Sequence, residues 1–116
     1  METGLAERVE SMDLREIQRH MRRVYFHRDS ERGILGSMLW LVAEVGELSN
    51  LIVKEGDRRA MADEAADVLA WLCSVCNLVG IDLEEAFIEK YKGGCPRCGG
   101  SPCRCVDPPG VHTGLK

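Results

Sequence analysis

Two pairs of carboxylates are spaced three residues apart inside otherwise apolar sequence. Glu44 and Glu47 are the only charged residues between positions 34 and 53, and Asp67, three after Glu64, is the only one between positions 65 and 81. On a helix, residues three apart share a face with Cβ atoms about 5–6 Å apart. If the two helices pack through their apolar sides, the four carboxylates converge in a low-dielectric groove, where they repel one another and shift toward the protonated form unless cations compensate. Hard oxygen donors without nitrogen or sulfur favour Mg2+ or Mn2+ over zinc. The chemistry that suits such an ion is phosphoryl transfer to water. A bound ion lowers the pKa of a water, orients it and neutralises charge on the leaving phosphate, and a spare carboxylate takes the proton. The alternative is that each pair lies on a solvated helix face and makes salt bridges, as pairs at this spacing commonly do. Apolar neighbours on nearly every side argue against that.

A second group of chemically capable residues lies near the C-terminus. Cys95, Cys98, Cys103 and Cys105 fall within eleven residues, interleaved with glycine and proline. Four thiolates so close suit a tetrahedral structural zinc; disulfides, a site shared between subunits, or redox thiols are the alternatives. A closed four-cysteine site has no open coordination position, so catalysis is not assigned to it. Cys73 and Cys76, inside the apolar run WLCSVCNLV, read instead as small buried core residues.

The elements that would position these groups are helical. Leu14, Ile17, Met21, Val24 and Tyr25 recur at steps of three and four, which predicts an amphipathic first helix with Ser11 as N-cap. After a polar break at HRDSERG, a second helix is predicted from about Ile34 to Lys54, stopped at Glu55-Gly56. Asp57 caps a third that runs to Gly80, and Asp82 with Glu85 opens a shorter fourth in the manner of a capping box. No stretch alternates with period two, so no sheet is expected. The expected architecture is all-α, an antiparallel four-helix bundle over residues 1–93, followed by a four-cysteine knuckle at 94–106 and a flexible tail at 107–116.

Several residues near the carboxylates have two readings. Trp40 precedes Glu44 by four and Trp71 follows Asp67 by four, so both lie one turn from the carboxylates on the same faces. They are either an aromatic wall for a nucleobase or two core tryptophans. Gly46, in mid-helix, is expected to mark a close helix approach. Lys54, two turns beyond Glu47, either reaches phosphate or is a solvated helix-end lysine.

Composition narrows the remaining classes. The chain has 116 residues, enough for one domain with a real core, and its net charge of −4 gives no electrostatic footprint for polymeric nucleic acid. The apolar run from Ile34 has the length of a membrane span, but two carboxylates near its centre oppose insertion, so no membrane association is expected. The charged N-terminus lacks the apolar stretch of a signal peptide, so a cytoplasmic location is expected. Helices two and three are apolar over more than one stripe, which predicts a homo-oligomer.

These residues carry a family resemblance. Glu44-Val-Gly-Glu47, sixteen intervening residues, Glu64-Ala-Ala-Asp67, then Asn77-Leu-Val-Gly-Ile-Asp-Leu-Glu-Glu-Ala and Glu89-Lys90-Tyr91 resemble the MazG-type all-α nucleoside triphosphate pyrophosphohydrolases over about residues 14–92. Ala43 stands where many members carry a further glutamate, as in the branch similar to dCTP and house-cleaning pyrophosphatases. The resemblance implies a Mg2+-dependent homodimer or homotetramer that hydrolyses a nucleoside triphosphate between its α and β phosphates. It implies Glu44, Glu47, Glu64 and Asp67 as Mg2+ ligands, with one of the glutamates activating water, and it brings Asn77, Lys90 and Tyr91 toward the nucleotide. A di-iron carboxylate bundle is disfavoured, because His20, His27 and His112 all lie outside both carboxylate motifs. The other alternative is a non-enzymatic adaptor in which the knuckle binds a partner on a helical dimer.

Overall fold

The chain enters its first helix through a reciprocal cap. Asp13 accepts a hydrogen bond from the Glu16 backbone N–H at 2.8 Å, and Glu16 accepts one from the Asp13 N–H at 2.9 Å, which satisfies two of the N–H groups a helix start leaves unpaired. The cap is therefore Asp13, two residues beyond the expected Ser11. The computed structural model describes residues 10–106. These form three helices and no strand: α1 Leu14–Val53, α2 Arg58–Val79 and α3 Leu83–Tyr91. The tail assigned to 107–116 lies outside the described residues.

The expected break at HRDSERG shrinks to its last residue. Helical structure continues through residues 27–32 and α1 kinks at Gly33, where φ is 86° and ψ 168°. That backbone region is essentially closed to residues with a Cβ, which explains why a glycine ends the first segment. The polar residues before it remain helical, with His27, Arg28, Ser30 and Glu31 exposed and Asp29 paired to Arg32 three residues on. At the other end of α1, Lys54 is the C-cap and Glu55, with φ 52°, takes the left-handed position in place of Gly56. Asp57 caps α2 by accepting from the Ala60 N–H, and Gly80 closes it.

The described residues separate into two compact units, divided between Glu84 and Glu85. In the first, α2 runs back along α1. Gln18 ties the start of α1 to the end of α2: its Nε2 donates to the Asn77 Oδ1 at 3.0 Å and to the Ile81 carbonyl at 2.7 Å, and its Oε1 accepts from the Leu83 N–H. Arg15 pairs with Asp82 and Glu84 beside it. Further along, Trp40 stacks on Trp71 with centroids 5.7 Å apart.

The core this makes is small. Cys73, Val75 and Cys76 are the buried apolar residues, with Gln18, Asp29, Ser37 and Ser74 buried beside them. The expectation that Cys73 and Cys76 are core residues holds. Leu35, Leu39, Val42 and Val53 stay 82, 73, 60 and 78 % exposed, so one side of residues 34–53 is an uncovered apolar face. By length and composition α1 is apolar enough to cross a membrane, with an 18-residue window of mean hydropathy 1.2 that is only 6 % buried within the chain. No atom lies within 4 Å of a Cβ built on Gly46, so the close helix approach expected there is absent within this chain.

Candidate active site

Residues 34–53 of α1 and the first half of α2 bring three of the four motif carboxylates together. One oxygen each from Glu44, Glu64 and Asp67 lie within 4.8 Å of one another. The i,i+3 spacing on α2 presents Glu64 and Asp67 on one side, and the antiparallel run of α1 supplies Glu44 across from them. Glu47 falls outside this closest group, though its charge still acts on Glu64. Glu64 is half-buried and its Oε2 is shielded from solvent with no hydrogen-bond partner among the described residues. Its carboxyl is held above the ordinary range, first by burial and then by the charges of Glu44 and Asp67 and a hydrogen bond shared with Glu44.

Such a cluster is unfavourable by itself. Three carboxylates at this spacing tend to retain a proton unless a cation replaces it. The donor set is all oxygen, and one of the Glu64 carboxylate oxygens is shielded and unpartnered among the described residues. Both features fit a hard divalent cation such as Mg2+.

Next to this cluster is a pocket of about 180 Å³ that contains Asp67 in its lining. Tyr25, Asp29 and Arg32 from the first segment of α1 face Trp71 and Ser74 of α2 across it. Asp29 is 2 % exposed; its Oδ1 accepts from Arg32 Nη1 at 2.8 Å, while Oδ2 has no partner among the described residues. The Arg32 guanidinium in turn sits 4.7 Å from the centre of the Trp71 ring, a cation–π contact that holds both planes in place. Asp29 and Arg32 are the residues that sequence reasoning missed. They lie in HRDSERG, read as a polar break, and their spacing of three was the only signal that they share a helix face.

The two tryptophans are neither a free wall nor a sealed core. They stack on each other at an interplanar angle of 7°, with Trp40 53 % exposed, and Trp71 forms one side of the pocket. Asn77 is occupied elsewhere: it accepts from Gln18 Nε2 and donates to the Gln18 carbonyl at 3.2 Å. Ten residues along α2 from Asp67, it is about 15 Å away by helix rise. Lys54 is exposed at the end of α1. Lys90 and Tyr91 belong to the second unit, where Tyr91 stacks on Phe87, and Lys90 and Tyr91 line an open concavity of about 880 Å³ with the cysteine turn.

Within that second unit the four cysteines converge. One sulfur from each of Cys95, Cys98, Cys103 and Cys105 falls within 4.8 Å of the others. Backbone N–H groups of Cys98 and Arg97 favour the thiolate of Cys95 and lower its pKa to about 6, while sulfur contacts with Cys103, Cys95 and Cys98 push Cys105 up to about 12.

Comparison with protein families matches residues 33–99 to the MazG nucleotide pyrophosphohydrolase domain. The match covers more than half of the chain, and this protein belongs to that family. It begins at the Gly33 kink, later than the sequence resemblance suggested, so Asp29 and Arg32 lie just outside it. It ends after Cys98, so Cys103 and Cys105 also lie outside. No curated protein matches the chain.

Proposed function

We propose that this protein is a Mg2+-dependent nucleoside triphosphate pyrophosphohydrolase that releases a nucleoside monophosphate and pyrophosphate. The observation that carries the reading is the carboxylate cluster at the centre of the family match, with its shielded, unpartnered Glu64 oxygen. Glu44, Glu64 and Asp67 are the residues to hold the ion. Bound there, Mg2+ supplies charge neutralisation for the triphosphate and activation of a water. Glu47, on the same face of α1 and outside the closest group, is the carboxylate free to accept the water's proton.

The adjoining pocket suits a nucleobase. Trp71 and Tyr25 offer aromatic surface, and the unpartnered Asp29 Oδ2 is an acceptor for a donor on the ligand, such as the exocyclic amine of a base. The pairing with Arg32 orients the Asp29 carboxylate for that contact. Asn77, engaged with Gln18, is better read as a structural tie. Lys54, Lys90 and Tyr91 stay assigned to substrate on the family resemblance alone.

The uncovered apolar face of residues 34–53 supports a homo-oligomer. Sedimentation at micromolar concentration is expected to give a dimer or tetramer, and a monomeric mass would remove this part of the reading.

The test of activity is paired release of monophosphate and pyrophosphate from a panel of nucleoside triphosphates with Mg2+. Wild type, Glu64→Gln and Asp29→Asn are compared. Wild type should act, Glu64→Gln should not, and Asp29→Asn should reorder the preferred bases. A folded protein that releases neither product from any nucleotide would overturn the proposal.

A further inference from the structure

The cysteine turn stands apart from the carboxylate chemistry, and its geometry can be compared with a specific ion. A tetrahedral ion with four thiolates at about 2.3 Å has sulfur–sulfur edges of about 3.8 Å. Cys95 Sγ lies 3.7 Å from Cys105 Sγ, and Cys98 Sγ lies 3.9 Å from Cys103 Sγ. Two separate edges thus have the length that one central ion requires.

The surrounding backbone is arranged toward the sulfurs as well. Cys98 Sγ accepts from the N–H groups of Arg104 at 3.3 Å and Gly100 at 3.4 Å, and Cys103 Sγ accepts from that of Cys105 at 3.3 Å. N–H groups aimed at sulfur stabilise thiolates and fix ligand direction. The turn closes on itself through the Cys95 N–H to the Gly100 carbonyl at 3.0 Å and the Gly99 N–H to the Cys95 carbonyl at 2.7 Å. Gly100 is required by that closure, since a Cβ on it would come within 2.7 Å of the Pro102 carbonyl oxygen.

What residues 85–106 lack is a core. None of them is buried, and Phe87, Ile88 and Val106 are 57, 50 and 89 % exposed. A folded turn with so little buried apolar surface has little to offset the conformational entropy of ordering it. Metal–ligand bonds do so in other small elements, whose folding free energy is then largely binding free energy.

We propose that Cys95, Cys98, Cys103 and Cys105 hold one Zn2+ as a closed tetrathiolate site, and that this ion folds the turn that contains them. Each thiol releases its proton to solvent as its zinc–sulfur bond forms. The spacing encloses one ion, the ligands are soft, and the complete sulfur shell leaves no position for substrate. Arg97 and Arg104 lie in the same stretch to balance the negative site. The role is structural, and the proposal stands whether or not the carboxylate site hydrolyses nucleotides.

The experiment uses the full chain purified without chelators. Elemental analysis is expected to find one zinc per chain, at least about tenfold less in Cys98→Ser, and an unchanged content in Glu64→Gln. Cobalt substitution should give thiolate-to-metal charge transfer and the visible absorption of a tetrahedral site. Stripping zinc from wild type should accelerate amide exchange across residues 85–106 while residues 58–79 keep their protection. Stripping tests the proposal even if Cys98→Ser fails to fold. Disulfides in place of free thiols, iron in place of zinc, or a metal-free protein with residues 85–106 still protected would each overturn it.

Discussion

Glu44 and Glu64 are twenty residues apart in the chain, yet their carboxylates come within 4.8 Å, whereas the four cysteines that converge equally closely fall within eleven consecutive residues. The carboxylate site is made by the packing of α1 on α2, so it depends on the register of two helices and on every contact that fixes it. The cysteine site is made by one turn, whose ligands, glycines and backbone donors are local. A site assembled by distant elements inherits the stability of the fold around it. A site assembled locally, with no core beneath it, depends on what its ligands bind.

The largest effect that tests this contrast is loss of a carboxylate. Glu64→Gln is expected to lower kcat/KM for nucleotide hydrolysis by at least about 100-fold, because metal-assisted charge stabilisation is worth several kcal/mol. The same substitution should make the metal-free protein more stable. Burial and the charges of Glu44 and Asp67 raise the Glu64 carboxyl in the folded state. Its favourable contribution is therefore complete below the pKa of the unfolded chain and is lost as pH rises through the higher folded value. A glutamine is neutral throughout, so in Mg2+-free buffer at neutral pH the variant should melt at a higher temperature than wild type, and the gap should close in acid. An unchanged or lower melting temperature would show that the cluster is not strained in this way.

Gly33→Ala probes the register on which the first site depends. No atom crowds a Cβ there, so the cost is one of backbone conformation, about 1–3 kcal/mol. Denaturant titration should show that loss, and the zinc content should stay at one per chain. A simultaneous loss of zinc would break the contrast between a packed site and a local one. The smallest expected effect is Asp13→Ala, which removes the capping box and should cost about 1 kcal/mol. Its consequence should be fraying at the start of α1, seen as faster amide exchange there, with both metal sites intact.

Legibility differed along the chain for physical reasons. Asp57 and Gly80 acted as the sequence suggested, because caps are local chemistry and their partners lie within a few residues. Cys73 and Cys76 were legible as core from their apolar surroundings. HRDSERG was not, because a run of charges signals exposure, and the burial of Asp29 and Arg32 depends on their facing α2 across the pocket. The tryptophans could be placed on the carboxylate faces by spacing, but not stacked on each other, since that needs the helix separation. Asn77 suited a nucleotide contact by motif, and its pairing with Gln18, fifty-nine residues earlier, was beyond any local pattern.

The sequence by itself determined the all-helical class, the caps of α2, the two carboxylate pairs and the four-cysteine turn, because each follows from helical periodicity or from contacts between near neighbours. The tertiary structure alone decided that Glu44 joins Glu64 and Asp67 while Glu47 stands outside the closest group, that Asp29 is buried with one oxygen unpaired, and that the apolar face of residues 34–53 stays uncovered within one chain. Those outcomes depend on where one helix lies against another. Periodicity fixes which face a side chain occupies, but not what that face meets.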